Sequence, residues 1–312
     1  MLNLHELRVF LTAAQTENFS EAGRRLGMSQ PAVSQHIRSL EDRFGVALFE
    51  RFGRHVTLTD TGRALIPMAR DLIELSHQVE EAMSSLHGEV IGLLKIACST
   101  AAGKYLLPRL LAGLRARHPQ VEVICHVTSR GAALDLLRTG EVQVALTSLR
   151  EPIKGIEYRP FLIDRIVLIV APDHPWALRR QPVKVQELTR ERFISREEGS
   201  GTSDAVREGL SHHGLSLGDL QVHLTLGNSE AIRTAVAEGI GVAFVSAMVA
   251  AESVAAGTVA VCEVEDLELT QTLYMARDVN RLAARVQAAF WEYAFSTENE
   301  ELRRRPAVAA AT

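Results

Sequence analysis

The chain has 312 residues, of which 46% are hydrophobic, and a formal net charge of −4. It is long for one domain, has enough apolar material for real cores, and lacks the overall cationic excess that would by itself draw it to nucleic acid or an acidic membrane surface. No apolar run approaches the roughly 20 residues of a membrane span, and Met1 to Glu6 lacks a signal peptide's charge and apolar block, so a cytoplasmic protein is expected.

A short polar helix is predicted from Ser20 to Leu26, with Ser20 placed to cap its free amides and Ala22 and Leu26 on one face. Leu26-Gly27-Met28-Ser29 breaks it, and Ser29 is a good cap for a second helix. Pro31 is tolerated there because it falls in the first turn, where its missing N–H has no intrahelical partner. In this second helix Val33, Ile37, Leu40 and Phe44 form an apolar stripe, Pro31, Gln35 and Arg38 point the opposite way, and Gln30 and Ser34 lie on the shoulder. A helix of this kind suits the major groove of DNA, since arginine can make paired hydrogen bonds to guanine and glutamine to adenine. Gly45 to Thr59 then reads as two extended runs joined around Gly53. This is a β-wing, with Arg51 and Arg54 at or beside its tip, in reach of a phosphate or the minor groove. Helical hairpins of this size also occur where the polar face is merely solvated; here turn, cap, stripe and wing agree on a DNA reader.

Leu4 to Arg8, Phe10, Ala13, Phe19 to Ala22, Leu26, Ser29 to Ser34, Ile37, Leu40-Glu41, Gly45, Leu48 to Arg51, Leu58-Thr59 and Thr61-Gly62 together resemble the LysR-type transcriptional regulators. The likeness is dense and ordered and covers essentially the whole chain except its tail. It implies a bacterial winged helix-turn-helix, a dimerising linker helix and an effector-binding domain. Carried over position by position, the family's DNA contacts fall on Gln30, Pro31, Ser34, Gln35 and Arg38 in the recognition helix and on Arg54 in the wing. In the first sixty residues Arg8, Arg24, Arg25, Arg38, Arg43, Arg51 and Arg54 are balanced by Glu6, Glu17, Glu21, Glu41, Asp42, Glu50 and Asp60. Affinity for DNA is therefore expected from the placement of charge and from doubling of the site in a homodimer.

Between Asp60 and His87, Leu65, Leu72, Val79 and Leu86 recur every seven residues, and Met68, Leu75 and Ala82 form a second row. Two interleaved rows make a coiled-coil seam. An amphipathic helix lying on its own domain would show a similar stripe, but the length, roughly 40 Å at 1.5 Å per residue, exceeds what a small winged helix covers. Pro67 is expected to kink this helix near its start, and His87-Gly88 to end it.

From Gly92 onward extended and helical segments alternate, as in an α/β domain with mostly parallel sheets. Strands are predicted at 93–97, 121–127, 142–146, 166–171, 193–195, 222–226, 242–245 and 273–276, with helices at 104–117, 131–138, 202–213, 229–238, 247–255 and 282–295. Cys98 and Cys125 fall in apolar extended runs and read as core residues rather than redox sensors; with Cys262 they show no metal-ligand spacing, and no metal or cofactor is expected. The resemblance implies two lobes like those of type 2 periplasmic binding proteins, joined by crossing strands placed near Leu162 to Arg165 and Asp266 to Leu269. The expected organisation is thus a winged helix-turn-helix over 1–59, a linker helix over 60–88 and an effector-binding domain over 92–297. Its lobes take 92–162 with 269–297 and 165–266, and a disordered tail is expected over 298–312.

The helix starts point to a ligand. Cys98 to Lys104 and Arg196 to Ser203 place small residues, hydroxyls and free amides at positive helix ends, which favours an anion. Thr128-Ser129 and Thr147-Ser148 end two further strands, and such ends converge on one cleft in open α/β sheets. Each cluster alone is commonplace as a turn or cap. Together with the resemblance, whose effectors occupy this cleft, they select Ser99, Thr100, Thr128, Thr147, Gly201 and Thr202, followed by Arg196 and Asn228. Ser195 to Thr202 also resembles the branch that regulates sulfur assimilation and autotrophic carbon fixation. Ser203 stands where many members of that branch have arginine, which argues for a smaller or less charged ligand; Lys104 is a partial replacement.

The reading is a non-enzymatic regulator that binds promoter DNA as a homodimer or homotetramer and is switched by a small anionic metabolite. A small-molecule-binding protein or an enzyme built on the cleft is the alternative. An enzyme would need a nucleophile, base and orienting partner together, yet Cys98 has no motif-bound histidine and Ser200 no strained elbow pattern.

Overall fold

The computed structural model describes residues 2–52, 55–84, 90–179 and 181–304. The chain separates into two compact units, the first formed mainly by Met1–Ile91 and the second mainly by the residues from Gly92 onward.

In the first unit the helices α1 (Leu4–Thr16), α2 (Phe19–Leu26) and α3 (Gln30–Phe44) are followed by strands β1 (Phe49–Phe52) and β2 (His55–Leu58) and by helix α4 (Asp60–Ser84). Leu7, Phe10, Val33, Ile37, Leu40, Leu48 and Phe49 are buried together at its centre, each contributing about 1.5–3 kcal/mol by leaving water. The cap of α2 is Asn18, not the expected Ser20. Its carboxamide oxygen accepts from the amides of Ser20 and Glu21 at 2.9 and 3.1 Å, so the helix starts one residue earlier. Ser29 caps α3 as anticipated, accepting from the Ala32 amide. Gly27 ends α2 at φ +67°, a left-handed conformation that costs a residue with a Cβ about 1–2 kcal/mol. Phe44 departs from the expected stripe and is 38% exposed, because α3 runs past the edge of the core in its last turn. β1 and β2 pair antiparallel, forming the wing, and the Glu41 carboxylate ties α3 to its base by accepting from the Leu48 and Phe49 amides.

Helix α4 continues through Pro67. Ala69 is buried and Leu65, Ile66 and Ile73 pack on the core of this unit, whereas Met68, Leu72, Leu75, Val79 and Met83 are exposed. Leu65, expected in the seam, therefore serves the intradomain face. Leu86, His87 and Gly88 lie outside the described residues, as does the side chain of Ala82.

The second unit contains β3 (Gly92–Cys98), α5 (Thr100–Tyr105), α6 (Leu107–Arg117), β4 (Val121–Val127), α7 (Arg130–Arg138), β5 (Val144–Thr147) and the long β6 (Ile156–Val170). After it come α8 (Pro175–Arg179), β7 (Arg192–Arg196), α9 (Gly201–Ser211), β8 (Gln221–Leu226), α10 (Ser229–Ala237), β9 (Ala243–Ser246) and α11 (Ala247–Ala255). β10 (Ala260–Cys262), β11 (Leu269–Asp278), α12 (Arg285–Ala294) and α13 (Glu300–Arg303) complete it. The single helix expected over 104–117 is two helices. Pro108, at the start of α6, cannot donate to the preceding turn, so the break falls at Leu106.

Among the described residues the main sheet is mixed, not mostly parallel. β3 lies parallel between β4 and β5, while β6 pairs antiparallel with β9, β10 and β11. β6 and β11 run antiparallel through both lobes, with Asp164 opposite Gln271. The partner of 162–165 is thus 270–273, beyond the expected 266–269, because Asp266 is in a turn at φ +55°. A bulge interrupts the pairing: Leu273 is opposite Leu162 and Tyr274 opposite Pro160, leaving Phe161 as the extra residue. One lobe packs Ala97, Leu134, Leu137 and Val142 beneath α7. The other packs Ile166, Leu168, Phe193 and Phe244 on one face and Ile194, Ile232, Val236 and Val245 on another. The expectation of a disordered tail from 298 is corrected up to Arg304: Leu302 is buried and the Arg303 guanidinium donates to the carbonyls of Ala294 and Ser296.

Replacing Gly27 with alanine is expected to destabilise the first unit by about 1 kcal/mol, read as a lower urea midpoint. Gly27→Asn should cost less, since asparagine tolerates the left-handed region.

Candidate functional site

On the first unit, burial of Val33, Ile37 and Leu40 fixes the rotation of α3 and leaves Gln30, Pro31, Gln35 and Arg38 exposed. Ser34, predicted to reach bases, is 8% exposed, since its position brings it between the buried Val33 and Ile37. A second constraint is the buried Glu6 on α1, which accepts from the Ser39 hydroxyl at 2.7 Å and has the Arg43 guanidinium 3.9 Å away. It pins α3 through polar bonds that a hydrophobic pattern does not show. Arg51 falls in β1, but its side chain lies outside the described ones, and Arg54 lies outside the described residues altogether.

In the second unit a cavity of about 340 Å³ opens between the lobes. Ser99, Thr100 and Thr128 line one side, Arg196, Gly201 and Thr202 the other, and Asp164, Ser246 and Gln271 its floor beside Ser148 and Ser229. Six of the eight predicted residues meet there. Thr147 does not: it is fully buried, its hydroxyl donating to the Arg130 carbonyl and accepting from the Leu149 amide, and its neighbour Ser148 takes the wall position. Asn228 caps α10, accepting from the Glu230 amide at 2.8 Å, and stands off the wall. A Cβ added at Gly201 would meet the side-chain oxygens of Gln271 and Ser148, which would have to shift to admit it.

The cations lining the cavity, Arg130 and Arg196, are already paired with carboxylates. Arg196 donates to both oxygens of Glu197 at 2.7 and 2.6 Å and to the Ser229 hydroxyl at 2.5 Å. Burial acts to raise the Glu197 pKa, but the guanidinium prevails and holds it below the usual carboxylate range. Arg130, not foreseen, spans the lobes by donating to the Gly199 carbonyl at 2.6 Å and pairing with Asp204. Opposite it, Tyr105 donates to Glu230 and Lys104 lies 3.1 Å from the same carboxylate. Lys104 is therefore spent on Glu230 and does not enter the wall. Ser203, whose identity suggested a less charged ligand, is also off the wall and donates its amide to Ser200.

Asp164 is the buried carboxylate of the floor, accepting from the Ser246 hydroxyl and the Gln271 amide at 2.8 Å each. Burial pushes its pKa up to about 6, and these two bonds only partly offset the effect. The signal in the sequence was one acid inside the apolar run Phe161 to Val170.

A polar helix face set for a DNA groove, joined in one chain to a two-lobed domain with a hydroxyl-lined cleft, defines a DNA-binding regulator with an effector domain. The chain belongs to the LysR family: residues 4–63 match the bacterial regulatory helix-turn-helix protein, lysR family, and residues 87–297 match the LysR substrate binding domain. It is 34% identical over 245 residues to the RuBisCO operon transcriptional regulator of Allochromatium vinosum, covering 78% of this chain and 80% of that protein. Full-length OxyR of Pseudomonas aeruginosa has the same fold, with a TM-score of 0.73 at 24% identity, over 100% of this chain and 99% of that one. The CcmR regulatory domain of Synechocystis PCC6803, solved in complex with 2-PG, is 28% identical with a TM-score of 0.59, covering 65% of this chain and 95% of that one. The matched families and relatives are transcriptional regulators, not enzymes.

Because the folded pKa of Asp164 lies above its ordinary value of 3.8, the protonated carboxyl contributes stability that is complete below that value and lost as pH rises through about 6. Asp164→Asn is expected to stabilise the protein by about 2–3 kcal/mol at pH 7.5. The gain should shrink toward zero near pH 4, measured by thermal unfolding.

Proposed function

We propose that the chain is a cytoplasmic regulator that reads promoter DNA through Gln30, Pro31, Gln35 and Arg38, with Arg51 and Arg54 of the wing at the backbone or minor groove, and that a small anionic metabolite between the lobes switches it. The observation that carries the DNA assignment is the exposed polar side of α3 held over a fully buried stripe. Pairing through α4 is supported by its exposed apolar row Met68, Leu72, Leu75, Val79 and Met83. Two chains then offer two reading heads to half-sites about one or more helical turns apart, and a homotetramer pairs two such dimers.

For the effector, the hydroxyls of Ser99, Thr100, Thr128 and Thr202 and the amino end of α9 offer donors to a carboxylate or phosphate. Glu197, Glu198 and Asp164 line the same cavity, so an anion enters by exchange and not by attraction to a bare positive site. An incoming anion competes with Asp204 for Arg130, and winning that contest loosens one link between the lobes. The change in closure passes through the oligomer and alters the spacing of the recognition helices. The 2-PG complex of CcmR supports this ligand class, and 2-PG is the first probe to use.

Arg38→Ala should weaken binding to a labelled fragment from upstream of the gene by about 1–3 kcal/mol, roughly five- to 150-fold, and relax selection at one base position in anisotropy titrations. An unchanged footprint removes Arg38 from the interface. Thr202→Trp should abolish the rise in melting temperature produced by 2-PG while leaving DNA affinity without effector intact; a retained response removes Thr202 from the site.

A further inference from the structure

Cys98 and Cys125 do not behave as two separate core residues. Cys98 closes β3 and Cys125 lies in the parallel neighbour β4, in a register that pairs Ile96 with Cys125 and Cys98 with Val127. Paired residues share a face, as do residues two apart, so both thiols stand on the same side of the sheet, with their sulfurs 3.5 Å apart. Cys98 is buried and Cys125 is exposed. Space for the inner sulfur comes from Gly103 in α5, where a Cβ would lie 2.9 Å from Cys98 Sγ. A disulfide needs about 2.05 Å between sulfurs and Cα atoms within about 7 Å, and the two cysteines are diagonal neighbours, so closing it requires side-chain rotation and a shift of backbone where the β3–β4 ladder ends.

We propose that Cys98 and Cys125 form a dithiol oxidation site, in which a hydroperoxide oxidises the exposed Cys125 and the buried Cys98 resolves it to an intramolecular disulfide. The Cys125 thiolate attacks a peroxide oxygen: an S–O bond forms, the O–O bond breaks, and an alcohol or water leaves, giving a sulfenic acid. The Cys98 thiol gives up its proton and attacks the Cys125 sulfur: an S–S bond forms and the S–O bond breaks, releasing water. Two thiols and one hydroperoxide become one disulfide, one alcohol and one water. The division of labour fits the environments. The hydrogen bond from Cys98 lowers the Cys125 pKa to about 7 against the effect of burial, whereas that bond and burial raise Cys98. Burial pushes the third thiol, Cys262, up to about 11.

The site adjoins the effector cavity. Ser99 and Thr100 follow Cys98, Thr128 ends the β4 side, and the Thr128 amide donates to the Cys98 carbonyl at 2.9 Å. Closing the disulfide draws on both strand ends that carry these hydroxyls.

The test treats the reduced full chain with stoichiometric hydrogen peroxide, blocks remaining thiols with an alkylating agent, and reads masses and peptides under denaturing conditions. The expected result is loss of alkylation at Cys98 and Cys125, a peptide linking the two within one chain, and Cys262 still free, with Cys125 reacting about a hundredfold or more faster than Cys262. Cys98→Ala should leave a sulfenic acid on Cys125 that dimedone captures, and Cys125→Ser should leave Cys98 unoxidised. Three free thiols after tenfold excess peroxide, a Cys125 link between two chains, or dimedone on Cys98 in the Cys125→Ser variant would overturn the proposal. The wild-type measurement stands even where a variant folds poorly.

Discussion

The antiparallel pairing of β6 with β11 is the constraint on which the larger unit depends. The two strands are the continuous path between lobes that otherwise have separate cores, and their register is locked from Leu269 opposite Ile166 to Asp278 opposite Ile156. Only backbone hydrogen bonds and a few side chains are present where they cross, so any bending between the lobes would fall there and not within either core. Asp164, Gln271 and Ser246 sit at that crossing and also form the floor of the cavity. A ligand that touches the floor therefore acts on the hinge itself.

Electrostatics follow one pattern in both units: charge is placed and then satisfied internally. Glu6 and Glu41 orient α3 and the wing from within, leaving Arg38 facing outward. Around the cavity Arg196 is held by Glu197, Arg130 by Asp204, and Lys104 by Glu230. A chain with net charge −4 can read DNA under these conditions because what matters is which charges remain unmatched on one face, not their sum.

The helix-turn-helix was the most legible part of the sequence, because period, turn glycine and cap coincide over a short stretch and local rules decide it. The second unit was legible as alternating elements but not as a sheet. A crossing was expected at Leu162 to Arg165, but nothing in Ile156 to Phe161 announces that the same strand begins there, since exposed and buried positions alternate irregularly around Pro160. Strand-end hydroxyls located the cavity well, yet they could not tell Thr147 from Ser148, because one residue decides which side of the sheet a side chain occupies. Arg130, Asp164 and Gln271 escaped because they act between elements distant in sequence. The two cysteines were read as core residues, which holds for Cys98 but not for the exposed Cys125, and parallel register, which no spacing rule supplies, brings their sulfurs side by side.

The bulge at Phe161 makes length as important as composition in this part of the chain. Phe161 and Leu162 are both buried although they are consecutive, and only beyond them does strict alternation through Ile163, Asp164 and Arg165 resume. Loss or gain of one codon here would turn Asp164 to the outer surface and Ile163 and Arg165 into the cleft. Surface turns elsewhere can absorb such length changes, but this strand admits substitution far more readily than insertion or deletion.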